Sequence, residues 1–192
     1  LLEETVALLR QVTETNPTFF WAHRTFGLLQ MEAAVWARLH GSPVAAWLDE
    51  AVAHLERAVE LRPEDQNTSL FLADALTIAA QQALDDAASP SRLVARARDA
   101  AGRAGRLAGG TLLASRYLAE AELVEGTWEA SQGRSPLTAL ARAEAAAQRV
   151  LSGAYERMEA SEVLARIHAL RAEWLAGHGA PPAREKRRTM AR

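Results

Sequence analysis

Five histidines are the first side chains in this sequence that could hold a metal ion: His23, His40, His54, His168 and His178. A metal site on a helix needs two histidines four residues apart, beside a carboxylate ligand. No two of these histidines have that spacing, so the sequence predicts no metal centre. Two of them, His40 and His178, directly precede a glycine, where a charged imidazole would complement the dipole at the end of a helix. We expect that role to be structural.

Nucleophilic and acid–base catalysis find equally little support. The chain has no cysteine, which excludes a thiolate nucleophile, a disulfide and a zinc site with cysteine ligands. Glu56, Arg57, Glu60 and Arg62 are spaced as on a solvated helix face, where ion pairs between neighbouring turns are weak. We therefore expect no enzymatic activity and no cofactor. A helical enzyme is the least favoured alternative, since it would need a pocket with paired titratable groups.

The charge balance argues against two classes of partner. Lys plus Arg is 22 and Asp plus Glu is 24, giving a net charge of -2, so no global field attracts nucleic acid or an anionic membrane. The one basic run, 184–192, is weak as a nucleic-acid or membrane contact and is better explained as a frayed or capping helix. No apolar run reaches the length of about 20 residues that a membrane span requires. The cytoplasm is the default location.

Alanine and leucine dominate the composition and set the fold class. The chain has 42 Ala and 26 Leu but only 12 Val plus Ile, a mixture that favours helices and effectively excludes a sheet protein. The apolar positions of 50–63 lie on one helical stripe that stops before Pro63, and this stripe returns twice after shifts of 46 residues. Its members are Ala51, Leu55 and Ala58; Ala97, Ala101 and Ala104; and Ala143, Ala147 and Val150.

Each unit of 46 residues is predicted to hold two helices. The first runs from about Phe19 to Leu39 and ends at a glycine suited to a left-handed cap, as at Gly41, Gly133 and Gly179. The second starts near the proline that follows. The predicted domain is a single array: a truncated repeat at 1–17, repeats at 18–63, 64–109 and 110–155, and a partial repeat at 156–192. Because the first residue is Leu1, we expect the chain to be a piece of a longer protein.

The pattern resembles the tetratricopeptide (TPR) family over the whole chain. The resemblance rests on a small residue after an apolar one in the first helix, such as Phe26-Gly27. It also rests on Ala51, Leu55, Ala58 and Pro63 in the second helix. The family's usual unit has about 34 residues, and the extra 12 fall between Gly27 and Ala51. The resemblance implies an all-α fold, a right-handed α-solenoid of antiparallel helix pairs that stack to bury their apolar faces.

A narrower resemblance concerns three segments with a Trp and a Gly before a Pro: Val35–Pro43, Gly126–Pro136 and Glu173–Pro181. Such extended units are similar to the C-terminal repeat region of large bacterial serine/threonine protein kinases. No Gly-rich phosphate loop, HRD-type catalytic loop or DFG is present, so the segment itself cannot bind ATP as a kinase does. The resemblance implies a partner-binding or scaffold arm of a signalling protein.

The family usually binds its ligands in the concave groove that the first helices line. The resemblance therefore implies that ten residues contact a protein or peptide partner of unknown identity. They are Arg24, Leu28, Asn67, Leu70, Asp74, Arg116, Tyr117, Glu120, Glu162 and Arg166. Arg24 and Arg116 would suit an acidic peptide, although the same residues also fit a solvated polar face. Without a Lys and Asn pair at these places, we expect no clamp for a C-terminal carboxylate.

Three further expectations stay open. Trp36, Trp128 and Trp174 share one register, with Gln82 as the exception, and packing against the next unit is favoured over a row of anchors for a peptide. Glycines 102, 105, 109 and 110 make the second repeat the expected weak point. The alternative function is self-association through the opening helix, and the oligomeric state is unknown.

Overall fold

The computed structural model describes residues 2–107, 112–151 and 157–178. All of the regular structure in these residues is helical, which confirms the predicted all-α class. The helices are α1 (Leu2–Thr15), α2 (Phe20–Leu39), α3 (Ala45–Leu61), α4 (Gln66–Asp85), α5 (Ser91–Leu107), α6 (Leu112–Ser131), α7 (Leu137–Leu151) and α8 (Arg157–His178).

The helix starts follow the period of the sequence. Helices α2, α4 and α6 begin 46 residues apart, and so do α3, α5 and α7. The turn inside each pair also repeats. Gly41 and Gly133 both have φ of 68°, and Ala87, at the same register, has φ of 56°. Because an L-residue with a side chain rarely adopts this conformation, the repeat geometry evidently holds the turn in place even where the glycine is missing.

Each first helix packs against the second helix of its own unit, in the pairs α2 with α3, α4 with α5, and α6 with α7. Each second helix then packs against the next first helix, as α3 does against α4, which stacks the units into one array. The predicted stripe is buried throughout: Ala51, Leu55, Ala58, Ala104, Ala143, Ala147 and Val150 are 0% exposed, and Ala97 and Ala101 at most 3%.

Small residues in the first helices let the paired helices approach closely. A Cβ atom added to Gly27 would lie 2.6 Å from Cγ of Leu55 and 3.1 Å from the carbonyl oxygen of Ala51. At the same register in the next units, Ala73 is 0% and Ala119 is 1% exposed. The small residue of the TPR-like pattern is therefore a packing requirement.

A buried carboxylate joins the second and third units. Glu122 of α6 is 1% exposed and accepts hydrogen bonds from Arg98 of α5, at 2.7 Å, and from Arg142 of α7, at 2.9 Å. Although burial raises the pKa of Glu122, the bonds to the two guanidiniums outweigh that effect and lower it. Three helices are thus held by one charged group.

Two ion pairs link consecutive second helices at matching positions, with their charges exchanged. Arg10 of α1 lies 3.1 Å from Glu50 of α3, and Glu56 of α3 lies 2.6 Å from Arg96 of α5. Glu56 is 46 residues after Arg10, and Arg96 is 46 after Glu50. Exchanging the signs disfavours pairing of the wrong neighbours, because one mismatched pair would place like charges together.

The tryptophan prediction is wrong for Trp36. Its side chain is 59% exposed, and its ring stacks on His40 at 4.0 Å rather than packing against the next unit. Trp174 stacks on His178 at 3.6 Å in the same way. His40 and His178 also lie within hydrogen-bond distance of carbonyl oxygens in the last turn of their helices, which fits the structural role predicted for them.

Several expectations fall on residues outside the described ranges. These are the basic run 184–192, the cap at Gly179, and Gly109 and Gly110. Gly102 and Gly105 lie within the continuous helix α5, and a Cβ atom would be accommodated at both. The expectation of a weak second repeat therefore stays a prediction.

Candidate functional site

The first helices of the four units lie side by side. α4 packs against α2 and α6, and α6 packs against α8, whereas α3 and α5 have no comparable contact with each other in the described residues. The first helices thus line a shared face, which we call the groove. Between them lies a cavity of about 270 Å³, lined by Arg38 of α2, Thr77, Ile78 and Gln81 of α4, Glu120 and Val124 of α6, and Arg166 of α8.

Four of the predicted residues form one polar network in the groove. Arg116 of α6 pairs with Glu120 one turn later, with Nε 3.1 Å from a carboxylate oxygen. The neighbouring Tyr117 donates a hydrogen bond to the carboxylate of Asp74 on α4. The guanidinium of Arg116 also lies over the Tyr117 ring, 5.5 Å from its centroid. The network ties α4 to α6, and its Glu120 also lines the cavity.

Asp74 is strained electrostatically. Burial raises its pKa to about 6 from 3.8, and the charges of Glu120 and Glu32 add to the rise, while the hydrogen bond from Tyr117 and the charge of Arg116 oppose it. Burial, with the charge of Asp74, also raises the pKa of Tyr117. A carboxylate held at such a cost inside a groove is more typical of a functional surface than of a packing core.

Arg24 lies at the α2 side of the groove between two aromatic rings. Its guanidinium carbon is 5.2 Å from the centroids of both Trp21 and Phe71. Its Nε atom is buried without a hydrogen-bond partner, and within the described ranges Arg24 has no ion pair. A guanidinium near two rings keeps its donors for carboxylates, which match its planar edge.

The remaining predicted residues have different surroundings. Leu70 is 5% exposed and belongs to the core, and Leu28 packs against the same core while half-buried. These two side chains support the groove from below. Asn67 and Glu162 are exposed on α4 and α8. Arg166 is also exposed and has no ion pair with any described residue, so its charge is available in the cavity.

The prediction missed part of the cavity lining. Ile78 and Val124 lie one turn after Asp74 and Glu120, so the spacing of a helix face would have found them. Arg38 was missed because it lies at the end of α2, where the matching residues in the next two units are Leu84 and Ala130. Its guanidinium pairs with Asp85 at the end of α4, and only the packing of α2 on α4 reveals that contact.

A histidine pair was also missed, between the helices of the first unit. Nδ1 of His23 on α2 lies 2.9 Å from Nδ1 of His54 on α3, and Nε2 of His23 lies 3.2 Å from the carbonyl oxygen of Pro17. Burial lowers the pKa of both imidazoles. A charge on His23 lowers the pKa of His54 further, and the charge of Arg57 does the same at His23. The described residues hold no cluster of three or more histidine or acidic side chains that could bind a metal ion.

Comparison with known proteins adds little to this description. No protein-family model matches the chain, and no curated protein matches it. Among solved structures, the crystal structure of MamA aligns with 90% of this chain and 90% of its own, at 16% sequence identity and a TM-score of 0.42. A similarity of this degree says nothing about what the chain binds. Within the described ranges, no helix is both long and apolar enough to span a bilayer.

Asp74→Asn should stabilise the folded chain at neutral pH. Because the folded-state pKa is raised from 3.8 to about 6, charged Asp74 opposes folding above pH 6, by up to about 3 kcal/mol. That penalty disappears as the pH falls from 6 towards 3.8, since the carboxyl group becomes protonated in the folded state. Urea unfolding of both proteins at pH 8 and pH 4 measures the difference.

Comparing the Asp74→Asn protein with the unchanged chain cancels the effect of the other titrating groups, including His23 and His54, because both proteins contain them. An Asn at this position still accepts a hydrogen bond from Tyr117. We expect a clear gain in the free energy of unfolding at pH 8 and nearly none at pH 4. A difference that does not depend on pH would show that Asp74 is not strained.

Proposed function

We propose that this chain is a non-catalytic protein-interaction module that binds an acidic peptide segment along the groove. The observation that carries the proposal is the cavity of about 270 Å³ to which α2, α4, α6 and α8 all contribute. A segment lying there touches several units at once, which is how repeat arrays obtain a specific surface from similar elements. Arrays without a pocket of paired catalytic groups serve binding more readily than chemistry.

The preference for an acidic segment follows from the unpaired charges. Of the acids beside the cavity, Glu120 pairs with Arg116 and Asp85 with Arg38. The side chain of Asp74 is engaged by Tyr117 and loses its charge readily. Arg24 and Arg166 are left without an ion pair among the described residues, and they belong to the first and last of the four units. A ligand with two carboxylates, separated by about the length of the groove, would pair with both arginines.

A fluorescently labelled peptide of alternating Glu and Gly tests the proposal in an anisotropy titration. Arg166→Glu places a repulsive charge in the cavity, so we expect the affinity for this peptide to fall by about tenfold or more. Arg24→Gln should weaken binding as well, since the guanidinium edge is lost. Arg92→Gln and Arg92→Glu are the controls with the same charge changes, because Arg92 is exposed on the second helix α5.

Equal losses for Arg92→Glu and Arg166→Glu would mean that the peptide senses net charge alone, and the groove proposal would fail. The same failure follows if the acidic peptide does not bind at all. Low salt favours detection, because exposed charges are screened within about 10 Å at 0.1 M ionic strength.

The wider setting is part of the proposal. The resemblance of the Trp- and Gly-containing segments supports a place in a larger bacterial signalling protein, such as a serine/threonine protein kinase, in the cytoplasm. The repeat boundaries at 17, 63, 109 and 155 are proposed with it. A gene model that places a kinase domain before this segment would support the setting, and one without it would remove the kinase while leaving the groove unaffected.

Self-association is the second candidate, and one observation favours it. Leu8 of the opening helix α1 is 61% exposed, so a second copy that covered it would bury apolar surface. Light scattering over a range of concentrations separates the candidates. The mass of one chain at every concentration would eliminate self-association.

A further inference from the structure

A second cavity lies away from the groove, on another face of α4. It measures about 360 Å³ and lies between the second helices α3 and α5. This volume falls within the range of about 300–1,000 Å³ that is usual for ligand sites. Its apolar lining includes Leu48 and Val52 of α3, Ala79 and Ala83 of α4, and Leu93 of α5. We call it the α3/α5 cleft.

The cleft is open because bridging side chains are missing at this junction. At the next junction, Oγ of Ser91 donates a hydrogen bond to Glu125 at 2.9 Å. The residues 46 positions earlier are Ala45 and Ala79, and both line the α3/α5 cleft. Their methyl groups cannot form the equivalent bridge between α3 and α4, and they leave space at the surface where the longer side chains stand one unit later.

The same comparison holds deeper in the cleft. At the next junction Arg98 pairs with the buried Glu122, whereas the residues 46 positions earlier are Val52 and Leu76. Glu129, which has a buried carboxylate oxygen without a hydrogen-bond partner, corresponds to Ala83. Trp128 corresponds to Gln82, which lines the cleft. The next junction has long side chains at positions where the α3/α5 cleft has short ones.

The rim of the cleft is acidic. Asp49, Glu56 and Asp86 contribute three carboxylates, against the single guanidinium of Arg96. Arg96 pairs with Glu56 at 2.6 Å, and Gln82 donates a hydrogen bond of 3.0 Å to Asp86. Two carboxylates therefore remain without a cationic partner in the lining. An occupant that is apolar at its centre and positive at its edges matches both the lining and the rim.

We propose that the α3/α5 cleft is a second binding site, which takes one aromatic side chain from a basic segment of a partner protein. The aromatic ring replaces the bulk that Trp128 and its neighbours supply one unit later, and the flanking Lys or Arg side chains meet Asp49 and Asp86. Aromatic anchors in a pocket with a charged rim are the usual source of affinity in such contacts. The site differs from the groove in both its helices and its charge preference.

Three synthetic pentapeptides test the proposal by isothermal titration calorimetry against the intact chain. They are Lys-Lys-Trp-Lys-Lys, the same peptide with Ala in place of Trp, and the same peptide with Glu in place of every Lys. We expect the first to bind at least about tenfold more tightly than either of the others. Equal binding of the Trp and Ala peptides would overturn the proposal, because simple charge attraction would then explain it.

Two substitutions locate the binding. Gln82→Trp restores the residue of the neighbouring unit and fills the cleft, so binding of the basic Trp peptide should be lost. Asp49→Lys changes an exposed residue and reverses one rim charge, so the affinity should fall about tenfold while the helical circular dichroism is unchanged. If Gln82→Trp folds poorly, Asp49→Lys still tests the proposal.

Arg166→Glu in the groove is the matched control and should leave this binding unchanged. Tighter binding with Arg166→Glu, together with unchanged binding with Asp49→Lys, would assign the basic peptide to the groove and overturn the proposal. Failure of the acidic peptide in the groove experiment has no bearing on this result, so the two proposals stand or fall separately.

Discussion

Replacing Arg98 and Arg142 together by Ala should destabilise the fold by about 3–5 kcal/mol, because Glu122 would become a buried charge without a partner. Glu122 is 1% exposed, while both arginines reach the surface at 41% and 44% exposure. The loss falls on the carboxylate, because it is the buried member of both ion pairs. Urea unfolding followed by circular dichroism measures the change.

The neighbouring unit supplies the control background. Leu76 lies 46 residues before Glu122 and is 0% exposed, so Glu122→Leu places a side chain that this fold already accommodates at the same register. In the Glu122→Leu protein, the two Arg→Ala changes should cost less than about 1 kcal/mol, since no buried charge remains. A loss of the same size in both backgrounds would show that the arginines stabilise the fold by packing and not by pairing.

Ala58→Arg should remove cooperative folding of the first unit, with a loss exceeding about 4 kcal/mol. Ala58 is 0% exposed on α3, so an arginine there must either bury its charge or separate the helices that pack around it. In a stacked array such a defect weakens both neighbouring interfaces. Thermal unfolding should begin at a lower temperature and extend over a broader range.

Ala53→Arg is the matched control, because Ala53 is on the same helix but exposed. The helix propensity of Ala and Arg is nearly the same, so this change should alter stability by less than about 0.5 kcal/mol. If the two variants melted alike, the buried stripe of α3 would be assigned to the wrong face of the helix.

The repeat is what made much of the fold predictable from the sequence. Ala58 and its partners return at 46 and 92 residues in the next two units, and the helix starts recur with them. Positions that are apolar in several units identify the buried face more reliably than one unit does, because each unit has the same geometry. The turn at Ala87 shows the strength of this constraint: its backbone follows Gly41 and Gly133, although its own side chain disfavours that conformation.

What the sequence did not reveal lies between helices, in the residues that depart from the repeat. His23 and His54 contact each other in the first unit alone, since the residues 46 positions later are Ser69 and Ala100. Glu122 likewise has Gln30 and Leu76 at its register. A contact between residues that do not repeat leaves no periodic pattern in the sequence. Predicting it requires knowing which helix faces pack together. The groove follows the same rule, because Glu120 and Arg166 share a predicted register whereas Arg38 does not.

The central proposal is that the first helices bind a partner along the groove. Amide chemical-shift changes on adding the Glu and Gly peptide to the isotopically labelled chain test it most directly. We expect the largest changes around Arg38 on α2, Thr77 to Gln81 on α4, Glu120 on α6 and Arg166 on α8, with little change on α3, α5 and α7. Changes confined to the second helices, or none at a peptide concentration that saturates the titration, would contradict the assignment of the groove as the binding surface.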